Sequence, residues 1–384
     1  MTQLDTDWLK DAATQRVFSM LENAGHQVFA VGGCVRDGLL GRPVSDIDLS
    51  TSARPETVAE LAKADGLRVI PTGIEHGTVT VMVGNKPFEV TTFRRDIETD
   101  GRRAVVAFAD GIDDDARRRD FTMNALYCDG RGGVHDPLGG LQDLRGGVVR
   151  FIEDAVTRIR EDYLRSLRYF RFHAWYGDMS KGLDVGALDA ISRNVDGLRG
   201  LSRERVGSEV KRLLAAPDPA PAVAGMRSTG VLATILPGAD DTSLAILVAL
   251  EKECEASPDA MRRLAVLGGE DAAAKLRLSR KETERLKVLR GSVGLAAGEL
   301  GYRMGADLGR DVLLVAAASL QAPINPADLQ KVYDSAGLAF PVKAADLMPD
   351  LSGPELGSRL KKLEQSWIDS DFTLSRDQLL SLGG

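Results

Sequence analysis

Two carboxylates on one predicted strand are the first candidates for chemistry in this sequence. Asp46 and Asp48 alternate with apolar residues, and side chains two apart on a β-strand project from the same face. Two neighbouring carboxylates repel each other unless a cation lies between them, and Mg²⁺ is a hard ion suited to carboxylates plus substrate phosphates. The pair therefore predicts a Mg²⁺ site; a polar outer strand is the alternative.

A double glycine about a dozen residues upstream supports a phosphate site. Gly32 and Gly33 follow a short apolar run, and glycines at a strand end let backbone N–H groups approach a phosphate. Arg36 follows one helical turn later and can pair with the phosphate charge. The combination of the glycines, the arginine and the two aspartates favours a nucleotide site, whereas either segment alone would not.

A third carboxylate lies on the next predicted strand. Glu89 stands between apolar and β-branched residues, where an acid is unusual. Two-metal nucleotidyl transfer usually shares its ions among several carboxylates. Glu89 is therefore a third candidate catalytic residue; a solvent-facing edge residue is the alternative.

Two arginine-rich segments follow the predicted sheet. In the first, Arg117, Arg118 and Arg119 precede Asp120 and Asn124. A charge run of this kind is usually a solvated face, and the run alone does not identify a site.

The second segment places arginines at regular intervals. Arg165, Arg168 and Arg171 recur every three residues, so on a helix they share one face. They repel each other unless an anion such as a nucleoside triphosphate lies along them, and Asp162 with Arg165 could read the Watson–Crick edge of a base. The alternative is that Glu161 and Asp162 simply pair with nearby arginines.

The elements that would position these residues form an α/β part followed by a helical part. Apolar periodicity predicts helices at Trp8–Leu21 and Pro55–Ala64 and strands at Gln27–Val31, Asp46–Ser50, Thr78–Val83 and Phe88–Thr92. Later patterns predict helices at Ala155–Trp175, Val185–Asn194, Ser202–Leu214, Ser243–Ala256, Arg280–Leu289, Asp311–Ala318, Pro326–Ser335 and Pro354–Trp367. The prediction is an α+β fold: a small antiparallel or mixed sheet, followed by an all-α region with a break at the proline cluster of residues 217–221.

Composition excludes several classes of protein. The chain has 384 residues, 43% of them hydrophobic and 27% charged, with a formal net charge of −7, which is typical of a soluble protein of two or three domains. Three scattered cysteines favour a reducing compartment, four scattered histidines argue against a zinc hydrolase, and neither a secretory signal nor an 18-residue apolar run is evident. We therefore expect a cytoplasmic protein with no membrane partner.

Four motifs in order give the sequence a specific family resemblance. Gly-Gly-Cys-Val-Arg-Asp, Asp-Ile-Asp, Arg-Arg-Asp-Phe-Thr-Met-Asn-Ala and Glu-Asp-Tyr-Leu-Arg-Ser-Leu-Arg occur between residues 32 and 168. Together they resemble the class II tRNA nucleotidyltransferases, the CCA-adding enzymes, which share a DNA polymerase β-like head with bacterial poly(A) polymerases. The segment 201–214 also resembles the neck motif of that family.

The resemblance implies an activity and a domain organisation. It implies template-independent addition of C, C and A to the 3′ end of tRNA from CTP and ATP, with release of pyrophosphate and with Mg²⁺ as cofactor. It also implies a catalytic head at residues 1–150, a helical neck for nucleotide selection at 151–216, and an all-α body and tail that bind tRNA at 217–384.

Within the head, the resemblance assigns roles to the motif residues. Asp46 and Asp48 would bind the catalytic metals, Gly33 and Arg36 would contact the triphosphate, and Gly32 would shape the turn.

Further along the chain, the nucleotide contacts continue. Arg119 would also touch the nucleotide. Asp162 and Arg165 would act as a protein template for cytosine and then adenine, while Arg168 and Arg171 would complete the charged row.

Three questions remain open at this stage. The segment 100–104 resembles a loop that the family needs for adding the terminal A, although Ala104 replaces the proline that often follows, so full CCA addition is favoured over CC-only addition. A poly(A) polymerase or an A-only enzyme is the alternative within the class. A noncatalytic RNA-binding protein with the same fold is the alternative outside it, but such a module would be expected to lack Asp46 or Asp48.

Overall fold

The computed structural model describes residues 2–71, 73–74, 77–100, 103–109, 111–348 and 350–382, and excludes the side chains of residues 96–100 and 103–106. The chain forms two compact units, Met1–Ile235 and Leu236–Gly384. The described residues contain no helix that is both long enough and apolar enough to cross a membrane. The first unit carries all of the motif residues, and the second is helical.

A seven-stranded mixed sheet forms the base of the first unit. Its strands are β1 (Val28–Val31), β2 (Asp48–Thr51), β3 (Arg68–Ile70), β4 (Thr78–Val83), β5 (Lys86–Thr92), β8 (Tyr127–Cys128) and β9 (Val134–His135), in the order β3-β4-β5-β2-β1-β8-β9. A separate hairpin pairs β6 (Arg94–Asp100) with β7 (Arg103–Phe108). Among the strands of the described residues, only β2 and β5 pair in parallel, so the sheet is mixed and the predicted α+β class is confirmed.

Helices pack around this sheet and then continue without strands. In the first unit they are α1 (Asp7–Lys10), α2 (Ala12–Asn23), α3 (Gly33–Leu39), α4 (Pro55–Ala64), α5 (Ile112–Arg117), α6 (Gly140–Gly146), α7 (Ala155–Glu161), α8 (Leu164–Tyr176), α9 (Val185–Arg193), α10 (Arg203–Leu214), α11 (Ala220–Ser228) and α12 (Val231–Ile235). Short 3₁₀ turns occur at Thr122–Asn124, Met179–Lys181 and Val195–Gly200. Pro217 and Pro219 of the proline cluster lie between α10 and α11, as a break between helices, and Pro221 lies in the first turn of α11.

Two predicted elements differ from the structure in ways that matter for the site. The strand predicted at Asp46–Ser50 begins only at Asp48, so Asp46 precedes β2. The helix predicted at Ala155–Trp175 is two helices, because Asp162 is extended (φ −153°) and its carboxylate accepts a hydrogen bond from the Leu164 N–H at 3.1 Å. An aspartate that bonds to a nearby backbone N–H in this way competes with helix propagation.

The segment after α5 docks on α8 through an ion pair and aromatic packing. The Asp120 carboxylate accepts a 2.6 Å hydrogen bond from Arg168 Nε and a 3.1 Å bond from Asn124. Beside it, Phe121 packs on Phe172 at 4.8 Å between ring centroids. Burial disfavours the charged carboxylate, yet Arg168 and Asn124 outweigh it and lower the pKa of Asp120 to about 2.

The second unit is built from helices around buried charges. They are α13 (Leu244–Glu253), α14 (Ala260–Leu267), α15 (Ala272–Lys275), α16 (Arg280–Gly291), α17 (Ala297–Met304), α18 (Ala306–Ser319), α19 (Pro326–Ser335), α20 (Gly353–Asp369) and α21 (Arg376–Ser381), with a 3₁₀ turn at Ala344–Leu347. Glu251 is buried and accepts hydrogen bonds from Arg262 Nε at 2.9 Å and Arg263 Nη2 at 2.7 Å. Arg262 also pairs with the buried Asp311 at 2.5 Å, so these charges are compensated where solvent cannot screen them.

The Asp120–Arg168 pair predicts a pH-dependent stability. Asp120→Asn should lower the free energy of unfolding by about 2 kcal/mol at pH 7, because the lowered pKa of the folded state is equivalent to stabilisation of that size. The deficit should shrink as the pH falls from the ordinary carboxyl pKa of 3.8 towards about 2, since the wild-type carboxylate then protonates as well. Urea unfolding at several pH values measures it; Asp196→Asn, at an exposed pair with Arg199, is the control and should show no such trend.

The buried charges of the second unit predict a larger loss. Glu251→Gln should lower the free energy of unfolding by about 3–5 kcal/mol, because it removes the buried carboxylate that Arg262 and Arg263 share and thereby breaks two buried ion pairs, although Arg262 keeps Asp311. Glu284→Gln, which removes an exposed pair with Lys287, should cost no more than about 1 kcal/mol. Equal losses for the two variants in urea unfolding would contradict a stabilising role of the buried network.

Candidate active site

A glycine turn joins β1 to α3 and forms one wall of the candidate site. Gly32 has φ +71° and ψ −120°, a conformation that residues with a Cβ rarely adopt. A Cβ placed on it would lie 3.6 Å from Arg119 Nη1 and 3.7 Å from the Asn124 carbonyl oxygen. The turn opens directly into α3, and the first N–H groups of a helix lack partners within the helix. Gly32 and Gly33 therefore present backbone next to an arginine, as a phosphate site requires.

Arg36 is buried on α3 and tied to both sides of the site. Its guanidinium donates to both carboxylate oxygens of Asp37 at 3.0 Å, to Asn124 Oδ1 at 2.9 Å and to the hydroxyl of Tyr176 at 2.8 Å. The guanidinium also stacks on the ring of Tyr176, 4.1 Å from its centroid. Without a ligand, Arg36 thus links α3 to the C-terminal end of α8, and a phosphate would have to share or replace these partners.

Arg119 lies beside the glycine turn, and two buried side chains hold its guanidinium by hydrogen bonds. Its Nη2 pairs with Asp115 at 2.9 Å, and its Nε donates to the Tyr127 hydroxyl at 3.1 Å. Burial favours the neutral guanidine, yet attraction to Asp115 outweighs it and raises the pKa of Arg119. The arginine is therefore a fixed positive charge at the edge of the turn.

The predicted carboxylates lie near one another where β2 begins beside the middle of β5. Asp48 lies directly opposite Glu89 in the parallel register, and Asp46 lies just before β2, where it accepts a hydrogen bond from the Ser45 hydroxyl at 2.9 Å. All three side chains are exposed. Glu89 therefore faces solvent, as its alternative interpretation expected, but it lies on an interior strand of the sheet and not at an edge.

Electrostatics distinguish Asp48 from its neighbours. Desolvation by the surrounding atoms, and then repulsion from Glu89 and Asp46, raises the pKa of Asp48, while Arg119 opposes the shift. Asp48 therefore lies close enough to three charged groups to sense them all. The repulsion would be relieved by a cation bound among the carboxylates.

The donor set fits Mg²⁺ bound together with a substrate. Among the described residues, no group of three or more His, Cys, Asp or Glu side chains is arranged to hold a metal ion. Mg²⁺ commonly binds through one or two carboxylates and completes its shell with water and substrate phosphates. Asp48 and Asp46 would supply such carboxylates, and their part as ligands, like that of Glu89 as a third, stays a prediction.

The two residues of the suggested template pair each bond to another partner in the structure. Arg165 Nη1 pairs with Glu161 at 2.5 Å, and its Nη2 donates to the Arg118 carbonyl oxygen at 2.9 Å. Asp162 accepts a 2.6 Å hydrogen bond from Arg205 on α10. Acidic residues thus pair with nearby arginines, as the alternative expected, and the templating role of Asp162 and Arg165 stays a prediction.

The other two arginines of the row also have acidic partners. Arg168 pairs with Asp120, and Arg171 Nε pairs with Glu209 at 2.6 Å. Both guanidinium groups lie over the ring of Phe172, at 5.4 and 4.7 Å from its centroid. The structure thus aligns the row on α8 as predicted, but with its charges compensated by the chain itself.

Sequence reasoning missed five residues that hold the predicted ones in place: Asp115, Tyr127, Tyr176, Arg205 and Glu209. Arg205 and Glu209 lie four apart on α10, so they share a helix face, and that spacing could have suggested a partner for α8. Asp115 was hidden in a run of three aspartates, and nothing in the sequence distinguishes it from the other two.

Two further predicted segments lie outside the site as described. Of the loop at residues 100–104, Gly101 and Arg102 lie outside the described residues, and the structure gives only the backbone of its flanks, in β6 and β7. The sequence also has a basic group, Arg359, Lys361 and Lys362, for which a tRNA contact and an ordinary solvated helix face are both open; it lies on α20 in the second unit, and the tRNA contact stays a prediction.

Comparison with known proteins identifies the family. The family described as the Poly A polymerase head domain matches residues 28–150, and one described as the probable RNA and SrmB-binding site of polymerase A matches residues 186–242. Among curated proteins, the mitochondrial CCA tRNA nucleotidyltransferase 1 of Mus musculus is 33% identical over 389 residues, covering 93% of this chain and 86% of that protein. The CCA-adding enzyme of Geobacillus thermodenitrificans is 39% identical over 224 residues, covering 58% of this chain and 54% of its own length.

Solved structures agree with these relatives. The Bacillus stearothermophilus CCA-adding enzyme in complex with CTP superposes with a TM-score of 0.74 at 27% identity, covering 96% of this chain and 94% of that one. The Thermotoga maritima CCA-adding enzyme complexed with tRNA shares the fold, with a TM-score of 0.70 at 19% identity, covering 98% and 95%. The similarity to the mouse protein over nearly the whole chain confirms the resemblance seen in the motifs: the chain belongs to the family of CCA tRNA nucleotidyltransferases.

Proposed function

We propose that this protein adds C, C and A to the 3′ end of tRNA, using CTP and ATP and releasing pyrophosphate. The observation that carries the proposal is that Asp48, Arg119 and the Gly32 turn lie near one another, where β1 ends and β2 begins. This arrangement supplies carboxylates for a cation and fixed positive charge for a triphosphate. The relatives named CCA tRNA nucleotidyltransferase and the structure of a relative with CTP support the choice of substrates.

Asp46 and Asp48 would hold Mg²⁺ in this reaction. A bound Mg²⁺ lowers the barrier by activating the attacking 3′-hydroxyl and by neutralising charge on the pyrophosphate leaving group. Asp48 suits this role because burial and its neighbours Glu89 and Asp46 disfavour its charged carboxylate unless a cation lies beside it. Glu89, opposite Asp48 in the sheet, adds negative charge that attracts the cation.

The triphosphate would lie along the glycine turn. Backbone N–H groups at Gly33 and the start of α3 would donate to phosphate oxygens, and Arg119 would supply charge from the other side. Arg36 would join them by exchanging its bonds to Asp37 for bonds to the ligand. These contacts are the same for CTP and ATP, so they bind the substrate without selecting the base.

Selection of the base would fall to Asp162 and Arg165. Together they offer acceptors and donors that match a Watson–Crick edge, and both side chains stand at the junction of α7 and α8. In the structure, Asp162 pairs with Arg205 and Arg165 pairs with Glu161. A base entering the site would compete with these two partners, while Arg168 and Arg171 continue the row along the nucleotide.

The product range and the wider organisation are part of the same proposal. The Asp-Gly-Arg-Arg segment at residues 100–103 favours full CCA addition over CC-only or A-only addition, and a poly(A) polymerase is the remaining alternative. Residues 1–150 would serve as the catalytic head, 151–216 as the neck and 217–384 as the tRNA-binding body and tail. We propose a cytoplasmic location, although the animal relatives are named as mitochondrial proteins.

An incorporation assay tests the activity. Three tRNA transcripts are used, which lack the terminal A, the terminal CA or the whole CCA end. Each is incubated with one labelled triphosphate. We expect two C and one A to be added, and then no further addition. Long A tails on generic RNA would show a poly(A) polymerase instead, and C addition without A would show a CC-only enzyme.

The carboxylate pair gives a second prediction. Asp48→Ala should lower kcat for both C and A addition by about 10³-fold or more, because several kcal/mol of transition-state stabilisation depend on the metal. Asp46→Ala should act in the same direction, and both variants should retain the wild-type circular dichroism spectrum. Asp65→Ala, at an exposed pair with Arg16 on the same unit, is the control; if Asp48→Ala remained as active as this control, the metal assignment would be wrong.

The template pair gives a third prediction. Arg165→Ala and Asp162→Ala should change the ratio of CTP to ATP incorporation by roughly tenfold or more, because each charged hydrogen bond to a base edge is worth about 1.5–3 kcal/mol. Turnover on each single nucleotide should change less than the ratio does. Arg193→Ala, which breaks an exposed pair with Asp189, should leave the ratio unchanged; an unchanged ratio in all three variants would exclude a templating role.

A further inference from the structure

We propose that Asp115 is a positioning residue for nucleotide addition: together with Tyr127 it holds the Arg119 guanidinium beside the Gly32 turn. The inference rests on the proposed role of Arg119 at the triphosphate. It assigns a function to a carboxylate that lies outside the four motifs, and it predicts a consequence for substrate affinity that packing alone would not produce.

Asp115 is a wholly buried carboxylate that accepts hydrogen bonds from two arginines and two hydroxyls. Its Oδ1 accepts from Arg118 Nη2 at 2.8 Å, and its Oδ2 accepts from Arg119 Nη2 at 2.9 Å and from the Tyr127 hydroxyl at 2.8 Å. The Ser50 hydroxyl donates to the same oxygen at 3.3 Å. These donors come from β2, β8 and the end of α5, so one carboxylate joins three elements of the head.

The carboxylate remains charged in this environment. Burial opposes ionisation, but the charges of Arg119 and Arg118 outweigh it and lower the pKa of Asp115 well below its usual range. A buried charge that is fully bonded on both oxygens has little freedom to move, and it fixes the direction of the groups that donate to it.

The bonds to Asp115 and Tyr127 determine which edge of Arg119 is presented to the site. Nε and Nη2 face these two partners. Nη1, in contrast, faces the glycine turn, 3.6 Å from the position that a Cβ on Gly32 would occupy. The charge of the same guanidinium acts on Asp48, so its placement relates the phosphate turn to the carboxylate pair.

Tyr127 hydrogen-bonds to both Asp115 and Arg119. Its hydroxyl donates to Asp115 and accepts from Arg119 Nε, and its ring lies 5.4 Å from the guanidinium carbon. The side chain is fully buried in β8. Removal of its hydroxyl alone would loosen Arg119 while leaving the shape of the core unchanged.

A purely structural role and a positioning role predict different kinetics. If the network only joins β2, β8 and α5, each variant loses stability, and its activity falls by the same factor at every substrate concentration. If Asp115 acts through Arg119, variants bind the triphosphate more weakly. The effect on KM should then be the same for CTP and ATP, because the triphosphate is common to both, and the CTP to ATP ratio that depends on Arg165 should not change.

The test compares Asp115→Asn, Tyr127→Phe and Thr92→Val. Thr92 is a buried residue of β5 whose hydroxyl donates to the Ala53 carbonyl oxygen at 2.7 Å, so Thr92→Val is a control for loss of one buried hydrogen bond. We expect KM for both nucleotides, and the inhibition constant of added pyrophosphate, to rise roughly tenfold in Asp115→Asn and roughly threefold in Tyr127→Phe. In Thr92→Val both constants should stay at the wild-type value although its melting temperature falls.

A double-mutant cycle with Arg119→Met identifies the route of the effect. If Asp115 acts through Arg119, Asp115→Asn should raise KM no further in the Arg119→Met background. The same factor in both backgrounds would overturn the proposal, as would wild-type KM values in Tyr127→Phe. Should Asp115→Asn fail to fold, Tyr127→Phe in the two backgrounds provides the same comparison.

Failure of the inference can be told apart from failure of the proposed function. The incorporation assay on the wild-type protein decides which nucleotides are added. The KM comparison is then made with whichever triphosphate the protein uses. An Arg119→Met variant with unchanged KM would remove the triphosphate role of Arg119 and the inference with it, whereas CCA addition by the wild type would still stand.

Discussion

Parallel pairing of β2 with β5 is the constraint on which the candidate site depends. It is the one parallel contact of the sheet among the described strands, and it places Asp48 directly opposite Glu89. Burial and then the charge of Glu89 raise the pKa of Asp48, so the charged Asp48 carboxylate is disfavoured unless a cation lies beside it. In the proposed site, a cation bound there would relieve this repulsion next to the glycine turn. The other elements of the first unit position this pair and the residues around it.

The arginines and the carboxylates near this site differ in how their charges are compensated. Each arginine of the α8 row has an acidic partner from the chain: Glu161 for Arg165, Asp120 for Arg168 and Glu209 for Arg171. The carboxylates of the proposed metal pair repel each other, whereas the arginines are neutralised and oriented. In the proposed reaction, an entering nucleotide would gain from a cation that the carboxylates attract, and it would exchange partners with arginines that are already in position.

Local patterns in the sequence were sufficient for the sheet class, the glycine turn and the arginine row, because each depends on residues close together in the chain. Helix α4 has the predicted bounds, since its proline start and its apolar spacing are local signals. The break at Asp162 was missed because an apolar stripe continues through it, and only the bond from Asp162 to the Leu164 N–H shows why the helix stops. The partners of the site were missed for a different reason: Arg205 pairs with a residue 43 positions away, and no periodicity within one element reports such a contact.

Charge compensation also bears on how an acidic protein can accept a polyanion. The chain carries a net charge of −7, yet between residues 158 and 212 there are 12 basic residues and eight acidic ones. Because the arginines of the row are paired, this local excess does not act as an open positive surface that would bind any phosphate backbone. A ligand gains from these groups only if it replaces Glu161, Asp120 or Glu209 at the guanidinium with acceptors in a matching geometry. Selectivity then comes from the placement of the arginines, which the buried carboxylates fix, and not from their number.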